Sequence, residues 1–193
     1  MNNYLLEIGV EELPSRFVNM AIEQLKEKSQ KLLVENELGF EDVKVYATPR
    51  RLSLIIESLD EKQKDMQKEV KGPSVKIAYD DEKNPTKPLL GFMNSQKITE
   101  DDIVIKEFKG TDYVFAQISS VGKVSSEILK EIIPGLIKDI NFPKNMRWGG
   151  KNIRFARPIR WMVALLNDEV LPINLEGIVA SNVTKGHRFL GRK

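Results

Sequence analysis

The arginines of this 193-residue chain are concentrated in a stretch that has no acid to pair with them. Residues 144–160 contain four arginines and two lysines, no aspartate or glutamate, and the pair Gly149-Gly150. A guanidinium is planar and can fork onto phosphate oxygens, and the backbone amides of paired glycines can approach an anion closely. The stretch therefore predicts an anion-binding surface of the kind that contacts nucleic-acid phosphates.

A structural interpretation of the same stretch stays open. Residues 1–60 carry eleven acids against seven cations, so the arginines could form ion pairs with them. The aromatic residues Trp148, Phe155 and Trp161 could stack on unpaired bases, or they could be buried in the core. The sequence favours anion contact for the arginines, because surface pairing poorly explains six cations without an acid, and it favours burial for the aromatic residues.

Two further basic segments could contribute to such a surface. Thr48-Pro49-Arg50-Arg51 reads as a turn that leads into a strand, and His187 lies among cations near the end of the sequence. The candidate residues for contact with nucleic-acid phosphates are Arg147, Lys151, Arg154, Arg157, Arg160, Arg50, Arg51, His187 and Arg188.

The residue inventory predicts no catalytic residue and no metal site. The chain has no cysteine and a single histidine, which argues against a thiolate centre, a histidine-based metal site and a Ser/His triad. Glu11 and Glu12 are interpreted as acids of a first helical turn, where they stabilise the positive helix end.

The elements that would position these residues alternate between strand and helix. A strand over Tyr4–Val10 precedes a helix with Gly39 as its expected C-cap, and a hairpin is predicted from residues 103–119. Pro134-Gly135 is expected to kink or split a later helix. Asn167-Asp168 is expected to join the strands of a second hairpin.

This mixed order predicts an α+β fold with mixed or antiparallel sheets, flanking helices and two lobes. Residues 1–65 are expected to pack with 144–193, whose charge is opposite, while 66–143 form an inserted lobe. The longest apolar run is far shorter than the roughly 20 residues of a membrane span, and no export signal is visible, so a cytoplasmic protein with no membrane partner is expected.

Six motifs in fixed order resemble the N-terminal part of the β subunit of bacterial heterotetrameric glycyl-tRNA synthetase. The resemblance covers essentially the whole chain. The motifs are LEIGVEELP at 6–14, TPRRL at 48–52, KGP at 71–73, MRWG at 146–149, FARPIRW at 155–161 and GHRFL at 186–190.

The resemblance implies a class II ligase of two α and two β subunits that attaches glycine to tRNA(Gly). Its α subunit would hold ATP, with magnesium, and glycine, whereas the β subunit would bind tRNA. The present chain is expected to hold no cofactor and to be inactive alone, as a fragment of a longer subunit. The alternative is an assembly module that contacts the α subunit or later β domains without touching tRNA.

Overall fold

The computed structural model describes residues 1–80, 84–108, 110–150 and 152–187. The strands are β1 Asn2–Val10, β2 Asp42–Thr48, β3 Arg51–Leu59, β4 Met66–Ser74, β5 Ile103–Phe108, β6 Thr111–Ser120, β7 Met146–Arg147, β8 Arg154–Phe155, β9 Ile159–Leu166, β10 Glu169–Val170, β11 Asn174–Leu175 and β12 Ile178–Val179. The helices are α1 Ser15–Glu35, α2 Val75–Ala78, α3 Lys87–Gln96 and α4 Ser125–Lys138, with a 3₁₀ turn at Glu100–Asp102. The predicted α+β class is confirmed.

The chain divides into two compact units. The first unit comprises Met1–Gln63 with Lys123–Lys193, and the second comprises Lys64–Gly122. Helix α4 therefore belongs to the first unit, although the sequence pattern places residues 123–143 in the inserted lobe. The reason is its apolar face: Leu129 and Ile137 are fully buried in the core of the first unit.

The first unit is built on a five-stranded antiparallel sheet in the order β10-β9-β1-β3-β2. Strand β1 lies in the centre, with Glu7 opposite Val163 of β9 on one side and Ser53 of β3 on the other. This register brings the beginning of the chain beside residues 159–166. The acids near β1 and the cations near β9 therefore meet.

Successive side chains of β1 point to opposite faces of the sheet, and the two faces meet different surroundings. The side chains facing the core are fully or almost fully buried against α1 and α4: Tyr4, Leu6, Ile8 and Val10. The opposite face carries Glu7 and Gly9. It is on this second face that the charged groups of β1 and β3 are placed.

The structure corrects the predicted end of α1 and excludes a split of α4 at Pro134. Helix α1 ends at Glu35, and Glu37 takes the left-handed backbone conformation with φ 53°, so Gly39 is not the C-cap. Gly39 instead donates its N–H to Asp60 Oδ2 at 3.0 Å. Helix α4 runs through Pro134 without a break. Its buried apolar face keeps the segment helical despite the missing donor.

The second unit is a three-stranded antiparallel sheet, in the order β4-β6-β5, with helices on one face. Strands β5 and β6 form the predicted hairpin, with Ile105 opposite Val114. Ala78 of α2 and Leu89 of α3 pack on Val114 to form a small separate core. Among the described residues of the second unit, no helix lies on the other face of the sheet.

Candidate nucleic-acid interface

Residues 144–155 form a short hairpin, here called the basic hairpin. Strands β7 and β8 pair with Arg147 directly opposite Arg154. Phe155 anchors the hairpin in the core with 1% exposure, and the indole N–H of Trp148 donates to the Phe155 carbonyl at 3.0 Å. Burial of Phe155 excludes it from base stacking, as the core interpretation of the aromatic residues expects.

Arg147 and Arg154 are exposed like charges on neighbouring strands. Directly opposed like charges in an antiparallel pair are destabilising. Neither guanidinium group makes a hydrogen bond or ion pair with the part of the chain that the structure describes, and the same holds for the ammonium group of the exposed Lys144. An anion placed between the two guanidinium groups would remove the repulsion.

The turn of the basic hairpin is open around its two glycines. Gly149 and Gly150 have φ angles of 60° and 72°, which residues other than glycine rarely adopt. A Cβ added at either position would meet nothing within 4 Å. Both glycines are exposed to solvent. Lys151, the next candidate, lies outside the described residues.

The carboxylate of Glu176 binds the backbone of the basic hairpin just after its turn. Glu176 Oε2 accepts the N–H groups of Asn152 at 2.7 Å and Ile153 at 3.0 Å, and Lys138 Nζ lies 3.4 Å from Glu176 Oε1. Desolvation alone would raise the pKa of Glu176. The two amide donors and Lys138 outweigh it, so the net pKa lies below the ordinary glutamate value of 4.5. Glu176 is thus an ionised anchor for the hairpin, and no motif in the sequence marks it.

Three other arginine candidates are already engaged by the segment that precedes α1. Arg160 Nε donates to Glu11 Oε1 at 2.8 Å, and Arg50 Nη2 donates to Glu12 Oε2 at 3.1 Å. Arg157 Nε donates to the Glu12 carbonyl at 3.0 Å. Glu11 and Glu12 lie before the helix and not in its first turn, so their structural role is to bind these arginines. The ion-pair interpretation therefore fits Arg160 in the basic stretch, whereas Arg157 is bound by a backbone carbonyl.

The fourth arginine candidate, Arg51, is held by the buried carboxylate of Glu7 on the second face of β1. Glu7 is 8% exposed, and its Oε1 accepts the Trp161 indole N–H at 2.7 Å and the Thr184 hydroxyl. Arg51 Nε lies 3.3 Å from Glu7 Oε2, at ion-pair distance without hydrogen-bond alignment, and its Nη2 donates to the Lys185 carbonyl. This cluster ties residues 184–185 onto the sheet.

The remaining candidates lie at the end of the described chain. His187 is exposed and follows Lys185, whose ammonium nitrogen is 5.4 Å from the centre of the Trp161 ring. Arg188 lies outside the described residues. The structure thus brings Arg147 and Arg154 together as accessible cations and places Arg50, Arg51, Arg157 and Arg160 in contacts with the protein itself.

Other kinds of site find no support within the described ranges. They contain no group of three or more His, Cys, Asp or Glu residues that could hold a metal ion. Among the helices that the structure describes, none is long and apolar enough to cross a membrane.

Comparison with known proteins gives one consistent result. A family model described as glycyl-tRNA synthetase beta subunit matches residues 4–193. Curated relatives called glycine–tRNA ligase beta subunit are 58% identical in Clostridioides difficile over 99% of this chain, and 47% identical in Limosilactobacillus reuteri over 98%. A third, from Desulforamulus reducens, is 45% identical over 97%. The chain spans only 27% to 28% of the length of these relatives.

Proposed function

The chain belongs to the glycyl-tRNA synthetase β-subunit family, and we propose that it supplies a tRNA-backbone contact to a ligase that attaches glycine to tRNA(Gly) with ATP. The basic hairpin makes that contact. Phosphate contacts fix the position and orientation of a nucleic acid on a protein, which is the task of a subunit that holds tRNA for chemistry performed elsewhere.

The observation that carries this proposal is the opposition of Arg147 and Arg154. A fold that only needed stability would place an acid within ion-pair distance of one of them, as it does for Arg160 and Arg50. Two exposed guanidinium groups side by side, next to an open glycine turn, can each form a charge-assisted hydrogen bond to a phosphate oxygen.

The catalytic part of the reaction is assigned to the α subunit. The family resemblance puts the sites for ATP, its magnesium and glycine there, in a cytoplasmic assembly of two α and two β subunits. The chain alone should accordingly neither activate glycine nor charge tRNA. Glycine-dependent pyrophosphate exchange by the purified 193-residue chain would contradict this assignment.

Subunit assembly is the second candidate function, and exposed apolar residues of the first unit favour it. Val179 and Val183 are 58% and 66% exposed. Such side chains could dock on the α subunit or on later β domains, with no role for tRNA.

Titration of tRNA(Gly) with the chain in the absence of the α subunit separates the two candidates. The tRNA proposal expects binding whose affinity falls steeply as salt rises, because phosphate neutralisation releases counterions. The assembly proposal expects negligible tRNA binding by the chain and a loosened tetramer when the longer subunit carries substitutions on this surface.

A further inference from the structure

The helix-free face of the sheet in the second unit is rich in aromatic rings. Alternation along β6 directs Tyr113 and Phe115 away from the small core to which Val114 belongs. Lys71 and Val104 lie opposite Phe115, Lys106 lies opposite Tyr113, and Phe108 lies on the same face of β5 as Lys106. Together these residues form what is here called the aromatic face: Lys71, Val104, Lys106, Phe108, Tyr113 and Phe115.

A cation is held against the rings of the aromatic face. The Lys71 ammonium nitrogen lies 3.5 Å from the centre of the Tyr113 ring and 4.0 Å from the centre of the Phe108 ring. The two rings meet edge to face, with centroids 6.3 Å apart. Phe108 is 45% exposed.

Among the described residues of the aromatic face, the charge that no ion pair balances is positive. Glu69 is bound by Lys106, which neutralises the acid on β4. Lys71 has no carboxylate partner in the described part of the chain. Phe108 is the exposed ring of the face, and Tyr113 and Phe115 are half-buried. Aromatic rings on antiparallel strands, together with an unneutralised lysine, are the groups that bind unpaired nucleotides: bases stack on the rings and the cation meets the backbone.

We propose that the aromatic face binds an unpaired nucleotide segment of RNA, with a base on Phe108 and a phosphate near Lys71. The inference rests on the proposed function only in taking tRNA as the source of that segment. Protein docking on the same face is the rival outcome, and the unneutralised lysine makes RNA the better match.

The test uses the complete 193-residue chain and a fluorescein-labelled single-stranded oligoribonucleotide of about ten nucleotides. Fluorescence anisotropy should show binding by the wild-type chain. Phe108→Ala should weaken it by roughly five- to a hundredfold, since stacking on one ring is lost. Phe108→Tyr should retain binding because it keeps the ring. Tyr46→Ala removes an aromatic side chain of the first unit that is 58% exposed, more than Phe108, and should change nothing.

Several results would overturn the inference. One is unchanged affinity in Phe108→Ala, and another is the absence of oligoribonucleotide binding by the wild-type chain, as protein docking expects. The double substitution Arg147→Ala with Arg154→Ala separates the two proposals. If that variant alone loses the oligoribonucleotide, the basic hairpin binds it and the aromatic face does not, while the proposed function stands. If the double variant still binds the oligoribonucleotide and loses only its salt-dependent affinity for duplex RNA, both proposals hold.

Discussion

Replacing Arg147 and Arg154 together by alanine should flatten the salt dependence of tRNA binding by about two units. Each phosphate neutralised on a duplex contributes about 0.9 to the slope of log affinity against log salt. The described unpaired cations of the basic hairpin are these two arginines and Lys144, so a slope of about −2.7 should become about −0.9. Over a roughly fourfold rise in salt, the affinity lost by the variant should be about tenfold smaller than that lost by the wild type.

Stability should respond in the opposite sense to binding. The double substitution removes two like charges that face each other across β7 and β8. The free energy of unfolding should therefore stay constant or rise by up to about 1 kcal/mol. Urea denaturation of the free chain measures this, and fluorescence anisotropy of labelled tRNA at several potassium chloride concentrations measures the slope.

A matched control removes the same charge from a different place. Arg50→Ala with Arg160→Ala also deletes two cations, but these bind Glu12 and Glu11 in the free chain. Its salt slope should remain close to that of the wild type, and each lost surface pair should cost at most about 1 kcal/mol of stability. Equal flattening of the salt slope by both double variants would contradict this expectation, since the salt slope would then follow net charge and not the cations of the basic hairpin.

Three further predictions concern the frame around the hairpin. Gly9→Ala should destabilise the chain by about 1–3 kcal/mol or more in urea denaturation, because the new Cβ would lie 2.0 Å from atoms of the Trp161 ring; a wild-type midpoint would show that the ring moves freely. Leu129→Ala should cost about 2–5 kcal/mol if α4 belongs to the core of the first unit, and a loss below 1 kcal/mol would argue against that placement. The stabilisation given by Glu176 should be complete above the ordinary glutamate pKa of 4.5 and should disappear as pH falls through its lowered folded value; NMR titration of the two amides bound to it should give a midpoint below 4.5, and a midpoint above 4.5 would contradict the anchor.

Local patterns in the sequence were sufficient to predict the α+β class and the hairpin of β5 and β6. Alternating apolar residues around a polar turn specify a hairpin with no long-range information. The basic hairpin is different, because its ladder has only two residues on each strand and leaves no period to detect.

The division of the arginines into paired and unpaired sets could not be read from the sequence. Arg160 and Glu11 are 149 residues apart, and they meet only because β9 lies beside β1 in the sheet. Composition reveals that residues 144–160 contain no acid, but it does not reveal which distant acids the fold delivers to them. The role of Glu176 could not be predicted for the same reason, since its two amide donors lie 23 and 24 residues away in the sequence.

Placement of α4 failed because helical periodicity shows that a face is apolar but not what covers it. Leu129 and its neighbours on that face would suit the core of either unit by sequence alone. The core around α1 accepts them, and the boundary of the inserted unit moves to Gly122 as a result.

Photochemical crosslinking within the assembled ligase tests the central claim most directly. A photoreactive amino acid at Asn152, whose exposed side chain lies in the basic hairpin, keeps the described cations and the backbone contact to Glu176. The same amino acid at Val34, 67% exposed on α1, is the control. We expect a crosslink from position 152 to tRNA(Gly) that disappears at high salt, and none from position 34. A crosslink from position 152 to the α subunit or to another part of the β subunit, with none to tRNA, would contradict it.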